Sequence, residues 1–190
     1  MIPDYVVDLL GIWGLCEIVG SSIIPFLRQR HNPKTKTKSD KGSRAMFYLA
    51  FVPAIYISLY FASSEIGLLP ELFTDLGILL TLAGIVLRQW AIWILGKFFS
   101  PNVRIVTGQE IVKEGPYRIL RHPAYTGFLM IFIGFGLAFG TWVGTLANVI
   151  LLSPAIYYRI RVEENAMRKE FGEEYIEYSR KTKRLIPLLF

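Results

Sequence analysis

The chain has 190 residues, of which 53% are hydrophobic and 14% aromatic, and its mean hydropathy is +0.40. That is too apolar for an ordinary water-soluble domain. One cysteine, Cys16, excludes a disulfide framework and a cysteine-based zinc site. The two histidines, His31 and His122, stand too far apart for a paired ligand motif, so no metal is expected. A formal charge of +6 is compatible with nucleic acid, but its placement argues for a membrane surface and against a nucleic-acid partner.

Taken in order, residues Tyr5 to Leu27 form a first apolar run long enough to span a bilayer, which takes roughly 20 residues. Asp4 and Asp8 lie at its start and Glu17 within it. No basic segment precedes it and no small-residue cleavage site follows, which argues against a signal peptide. A polar, basic loop, Arg28 to Arg44, reads as a flexible connection. A second span runs from Ala45 to Ser63 around Pro53. A third runs from Leu72 to Leu95, with Arg88 and Gln89 toward its end. Lys97 to Arg121 is a loop long enough to suggest function. A fourth span is read from Pro123 to Phe139, and a fifth from Thr145 to Tyr158 with Pro154 as a kink site. Arg159 to Lys183 is a charged, helical tail. Met167, Phe171, Tyr175 and Tyr178 form an apolar stripe opposite Arg168, Lys169, Glu173 and Glu177, with Gly172 as a break.

The fold expected is therefore all-α: a polytopic transmembrane helical bundle of about five spans with a C-terminal amphipathic tail. It is read as one domain, with N-terminal spans over residues 1–95 and a functional half over 96–190. The cations orient it. Seven lie in 28–44, five in 97–121 and eight in 159–184, which with Arg88 accounts for all 21 lysines and arginines. By the positive-inside rule the N-terminus faces out, and both long loops and the C-terminus face the cytoplasm.

The stretch Lys113 to Gly127, K-E-G-P-Y-R-I-L-R-H-P-A-Y-T-G, concentrates three cations, a histidine and two tyrosines between apolar runs. Pro116 and Pro123 read as helix starters, because proline lacks the N–H that a first turn leaves unpaired. His122 then stands just before a helix, with Tyr125 three residues on and on the same face. Arg159 and Glu163 are spaced i, i+4 where the fifth span ends. A carboxylate suits an amine or cationic cofactor, a guanidinium suits a carboxylate or phosphate, and aromatic rings suit a flat base or sulfonium. If the loop and tail close together, the set binds a cationic and an anionic partner side by side, next to lipid.

R-H-P-A-Y-T-G (Arg121 to Gly127) preceded by G-P-Y (Gly115 to Tyr117), then R-x-x-x-E-E (Arg159 to Glu164) and F-G-E-E-Y-x-E-Y (Phe171 to Tyr178), resembles the isoprenylcysteine carboxyl methyltransferase family. Membrane phospholipid methyltransferases belong to the same wider group. The resemblance covers Phe98 to Pro187. It implies S-adenosylmethionine as cofactor, bound on the cytoplasmic side without a Rossmann domain. It implies that Gln109, Glu110, Ile111 and Val112 line the cofactor through their backbone. Tyr117, His122, Pro123, Ala124 and Tyr125 would contact it, and Glu163 would hold it from the tail. It implies that Arg159 is the catalytic, substrate-binding residue that positions the acceptor carboxylate, and that the acceptor is a lipophilic, isoprenylcysteine-like compound met at membrane lipid.

Other readings stand beside this one. The acceptor could instead be a phospholipid amine or a small thiol. Membrane sterol reductases carry a similar R-H-P-x-Y-x-G signature with NADPH, though in longer chains. A lipid-binding protein without catalysis would also use a basic face. At residue level, His122 could merely cap a helix, and Arg159–Glu163 could be an ordinary surface pair. Arg118 and Arg121 could anchor lipid headgroups, and Arg88 could pair with Glu17. Gly134-Phe135-Gly136 reads as close helix packing.

Overall fold

In the computed structural model the described residues are 4–23, 35–38 and 40–185. The end of the first expected span, His31 and about half of the first basic loop lie outside them. Helix α1 (Asp4–Ile18) continues as a π-type turn, Val19–Ile23. Strand β1 (Thr35–Lys38) precedes α2 (Ser43–Ser63) and α3 (Glu71–Leu95), and a 3₁₀ turn, Gly96–Phe98, ends α3. Strand β2 (Arg104–Val106) and a 3₁₀ turn at Gly115–Arg118 lead to α4 (Pro123–Ala138). Helices α5 (Trp142–Phe171) and α6 (Glu173–Lys181) complete the order.

Helix α4 is the centre. Its residues are apolar on every side, as befits a helix with no solvent face, and Phe128, Ile131, Phe132 and Phe135 are fully buried. Trp13 of α1 meets the Phe132 and Phe135 rings edge-on at 5.5 and 5.6 Å. Phe51 of α2 meets Phe132 at 5.3 Å. Helix α3 presses against α4 through small residues. An added Cβ on Gly84 would stand 2.7 Å from the carbonyl oxygen of Gly127, and one on Gly134 would stand 2.7 Å from that of Gly77. Lipid tails are as apolar as leucine, so close backbone approach is what holds such a pair. The glycines at 134 and 136 are packing residues, as the sequence suggested.

Polar pins tie α2 and α5 to this pair. The buried Ser58 hydroxyl donates to Asn148 Oδ1 at 3.0 Å, and Asn148 Nδ2 donates to the Phe132 carbonyl at 2.6 Å. Leu69 N–H donates to the Gly140 carbonyl at 2.8 Å and Trp142 N–H to that of Gly67 at 3.0 Å. The α2–α3 and α4–α5 turns therefore meet at one end of the bundle. Tyr5, at the start of α1, donates to the Ala138 carbonyl at that same end, at 3.3 Å. Glu17, near the finish of α1, reaches Arg88 near the opposite end of α3.

Two expectations need correction. The chain is a helical membrane bundle, but residues from the two basic loops also pair as a two-stranded antiparallel ribbon, Thr35 opposite Val106 and Lys38 opposite Arg104. Among the described residues three helices are long and apolar enough to cross a membrane, over Ala45–Ser63, Glu71–Phe98 and Trp142–Phe171. Helix α4 has 16 residues, about 24 Å at the usual rise, which falls short of a hydrocarbon core of about 30 Å. Finally, span five and the first half of the tail are one 30-residue helix, with Pro154 inside it. Gly172 does break the tail: its φ of +52° lies where an L side chain is strained, and it separates α5 from α6.

Adding side chains at the α3–α4 seam tests this packing. Gly84→Leu is expected to lower the melting temperature in detergent by the equivalent of at least about 1–3 kcal/mol, the usual cost of overpacking. Gly14→Ala, where an added Cβ meets nothing within 4 Å, is expected to leave it unchanged or slightly raised.

Candidate active site

One cavity of about 200 Å³ of water-accessible space opens at the end of the bundle where α3 finishes and α4 begins. Its wall comes chiefly from five sources. The 109–112 segment runs past it without regular secondary structure. Tyr117, His122, Ala124 and Tyr125 come from the turn before α4 and its first turn. Arg159, Glu163 and Met167 come from α5, and Tyr175 and Tyr178 from α6. The α3 end, with Leu95, Phe98 and Phe99, closes the apolar side.

Local rules explain these positions. Pro123 occupies the first helical position of α4 and fixes where the helix starts. His122 is then the capping residue, yet its side chain makes no capping bond. It is buried, with Nε2 3.5 Å from Glu164 Oε1 and no hydrogen-bond partner among the described residues. Its ring and that of Tyr125 lie 5.7 Å apart. The capping role considered from the sequence is therefore not its role here.

Tyr125 stands between the two α5 groups. Arg159 Nε donates to the Tyr125 hydroxyl at 2.8 Å, and that hydroxyl donates to Glu163 Oε2 at 3.0 Å. No ion pair joins Arg159 to Glu163, so the simple i, i+4 pair is replaced by a relay through Tyr125. The buried guanidinium is also held by the Ser43 hydroxyl at 3.3 Å, by the Pro101 carbonyl and by the Asp40 carboxylate 3.6 Å away. Ser43 and Asp40 come from the start of α2, so the site draws on the N-terminal half of the chain.

A second carboxylate fixes the tail. Glu164 is 2% exposed and faces Arg121 at 3.1 Å and Arg184 at 3.1 Å. Arg121 Nη1 also donates to the carbonyls of Ser179, at 2.6 Å, and Thr182. Beyond α6 the chain runs alongside 119–122: Lys183 N–H donates to the Ile119 carbonyl, Arg121 N–H to that of Lys183, and His122 N–H to that of Arg184, at 2.7–3.1 Å. Arg121 is thus an internal clamp, not a headgroup anchor. Tyr178 donates to the Tyr117 carbonyl at 2.9 Å. Burial pushes the Tyr178 phenol up to about 12 and the Tyr117 phenol well above the ordinary tyrosine range, so both stay protonated donors at neutral pH.

At the membrane side of the cavity, Arg88 donates to Glu17 through Nε and Nη2 at 2.7 and 2.5 Å and to the Ala124 carbonyl at 3.0 Å. A two-bond pair of this kind is the geometry that satisfies both charges away from water. The sequence had flagged these two residues as intramembrane charges and as possible partners.

Of the residues singled out from the sequence, Gln109, Glu110, Ile111, Val112, Tyr117, His122, Ala124, Tyr125, Arg159 and Glu163 all line this cavity; Pro123 does not. Pro123 is buried behind the wall as the helix starter. Sequence reasoning missed Phe47, Phe98, Phe99 and Pro101. Nothing in their spacing marks them. Tyr175 and Tyr178 carried a signal, the apolar stripe of the tail, but a stripe at helical spacing does not mark a cavity wall.

The comparisons with known proteins fit this geometry. Residues 72–174 match the model of the family described as phospholipid methyltransferase. A probable protein-S-isoprenylcysteine O-methyltransferase of Oryza sativa subsp. indica is 30% identical over 146 residues, 73% of this chain and 76% of that protein. The chain belongs to the phospholipid methyltransferase family. Protein-S-isoprenylcysteine O-methyltransferase B of Arabidopsis thaliana is 28% identical over 143 residues, covering 72% of this chain and 73% of that one. The solved structure of the eukaryotic intramembrane Ras methyltransferase, an isoprenylcysteine carboxyl methyltransferase, superposes with a TM-score of 0.64 at 23% identity. It covers 75% of this chain but only about half, 52%, of that longer chain, and it supports the fold.

Membership in this family makes the chain an integral-membrane methyltransferase that uses S-adenosylmethionine. The cavity fits such a cofactor on its own chemistry. Among the described residues, Glu110, Ile111 and Val112 make no backbone hydrogen bond, which leaves donors and acceptors beside the cavity. Glu163 offers a carboxylate to a cation, and His122 Nε2 is a buried polar atom that makes no hydrogen bond among the described residues.

Removing the tail's anchor tests the architecture. Glu164→Gln removes the carboxylate that Arg121 and Arg184 share, and breaking a buried pair costs about 3–5 kcal/mol. Trypsin is expected to cut near Arg180–Arg184 faster than in the parent protein, and the affinity for S-adenosylmethionine to fall at least about tenfold for each 1.4 kcal/mol of closure that is lost.

Proposed function

We propose that this protein methylates the carboxylate of an isoprenylcysteine-like lipophilic acceptor, working as a single integral-membrane domain. The observation that carries the reading is the Arg159–Tyr125–Glu163 relay on an otherwise largely apolar cavity. It sets a cation and an anion side by side, 2.8 and 3.0 Å from one hydroxyl, at the end of a membrane bundle.

In this reading Gln109, Glu110, Ile111 and Val112 hold the cofactor through their backbone. Tyr117, His122, Ala124 and Tyr125 form its wall, and Glu163 faces its positive charge. When bound, S-adenosylmethionine supplies a methyl group on a sulfonium sulfur. Arg159 orients the acceptor's carboxylate. That group, with a pKa near 4 at most, is already ionised at neutral pH, so no residue has to act as its base. Orientation is then the main contribution of the protein, and holding two reactants in line is worth about 7–11 kcal/mol in good cases. Phe47, Leu95, Phe98 and Phe99 keep water from the apolar side of the cavity.

The five-span topology belongs to this proposal. Helix α4 runs from the site end to the far end of the bundle, and α1 runs from the far end back to the site, so both cross alongside the three long helices. The short α4 is consistent with a site recessed below the membrane surface. The cation-rich loops place the site and the C-terminus on the cytoplasmic side and the N-terminus outside.

One observation favours a second acceptor class, a thiol or a phospholipid amine: each nitrogen of the Arg159 guanidinium already has a partner within the protein. Labelled S-adenosylmethionine offered with a prenylcysteine, a phosphatidylethanolamine and a small thiol separates the readings. Label is expected on the prenylcysteine carboxyl; label on the amine or thiol alone would overturn the carboxylate reading. Arg159→Ala is expected to slow carboxyl methylation by about 100-fold or more, the scale of a misplaced reactant, with cofactor binding largely kept. Equal loss of both would remove Arg159 from the acceptor side.

A further inference from the structure

Asp40 lies outside the segment, residues 72–174, that matches the family model, yet it stands 3.6 Å from the guanidinium of Arg159, which lines the cavity. It is placed there by an unusual turn. Lys41 and Gly42 both adopt positive φ, 43° and 74°, in succession. For lysine that region is sterically unfavourable, and such an outlier persists only when its surroundings hold it. Here the Asp40 carbonyl accepts from Ser43 N–H at 2.7 Å, and Tyr158 donates to the Lys41 carbonyl at 3.2 Å.

The turn aims the Asp40 carboxylate at three groups. Oδ1 accepts from the Ser43 hydroxyl at 3.0 Å and from Val103 N–H at 3.4 Å, and it lies 3.6 Å from Arg159 Nη1. The last distance is an ion contact but is too long for a good hydrogen bond. Asp40 therefore neutralises a buried guanidinium without closing its donor fork. The side chains differ in access: that of Arg159 is 7% exposed and that of Asp40 28%. A guanidinium taken out of water needs a counter-charge, and any anion brought by a substrate must compete with that counter-charge.

We propose that Asp40 is a specificity-determining residue of the methyl-transfer site: it is the resident counter-ion of Arg159 and sets how strongly the site prefers an acidic acceptor over a neutral one. The inference rests on the reading of Arg159 as facing the acceptor's carboxylate. Asp40 holds Arg159 in place while no acceptor is present. It also weakens the attraction for an incoming carboxylate by standing near it with the same charge. A neutral acceptor feels neither effect.

Asp40→Asn isolates the charge, because the amide oxygen can still accept from Ser43 and Val103. The full chain in detergent is assayed with an N-acetylated S-prenylcysteine as acceptor and with its carboxamide as a competing, uncharged inhibitor. Asp40→Asn is expected to lower KM for the acid about fivefold, the scale of one nearby charge at a partly buried site. The carboxamide's inhibition constant and the affinity for S-adenosylmethionine are expected to stay within twofold of the parent values. Asp40→Glu, which restores the charge, is expected to restore the parent KM. A parallel change for acid and carboxamide, or loss of S-adenosylmethionine binding in Asp40→Asn, would overturn the proposal and leave Asp40 as a structural pin. Arg159→Gln checks the underlying reading separately. It is expected to abolish the preference for acid over carboxamide, and a preference that survives would place the anion site elsewhere, whatever Asp40 does.

Discussion

The Tyr125 hydroxyl is the point on which the site turns. It hydrogen-bonds to both Arg159 and Glu163, and it belongs to α4 while they belong to α5. Two charges four residues apart on a helix would ordinarily face each other and neutralise. With a neutral donor-acceptor between them, each keeps a face toward the cavity. The α4 helix can deliver that hydroxyl only because Pro123 starts the helix just before it and because α4 is wedged between α3 and α5. The packing at Gly84, Gly127 and Gly134 therefore matters to chemistry as well as to stability: a shift of α4 by a side-chain width would separate Tyr125 from its partners.

The closure of the cavity depends on a second, different device. Glu164, next in sequence to Glu163, points away from the relay into a cage of Arg121 and Arg184 with His122 at its edge. Neighbouring glutamates thus divide the work. One stays at the cavity, and the other binds the C-terminal strand to the turn that precedes α4. The strand is also paired through backbone bonds to residues 119–122, so the tail is an integral wall of the site, and Tyr175 and Tyr178 complete it. The N-terminal half contributes through Asp40 and Ser43 at the start of α2 and through the Glu17–Arg88 pair at the membrane side.

Much of this was legible from residue order. Proline at 123 marked a helix start, the apolar runs marked a membrane bundle, and the spacing of His122, Tyr125, Arg159 and Glu163 marked the groups that meet. What stayed hidden has physical reasons. The division between Glu163 and Glu164 depends on the rotation of α5, and two adjacent glutamates look alike in sequence. The strand pairing of 35–38 with 104–106 joins segments about seventy residues apart, one the polar run T-K-T-K and the other, R-I-V, too short to show an alternation. Helix α4 read as a full span, because its hydrophobicity continues to its ends, although its first turn serves the cavity rather than lipid. Asp40 carried no signal, since its importance comes from a turn that brings it back onto Arg159.

The central claim is that the 109–112 backbone, the first turn of α4 and helix α6 of the tail form one pocket for S-adenosylmethionine. Hydrogen–deuterium exchange on the detergent-solubilised protein, with and without the cofactor, tests it most directly. The account predicts slower exchange at the amides of 110–112 and along 178–185 when the cofactor is added, with the far-end turns at 64–70 and 139–142 unchanged. Cofactor that binds while exchange at 110–112 and 178–185 stays as it was would contradict it.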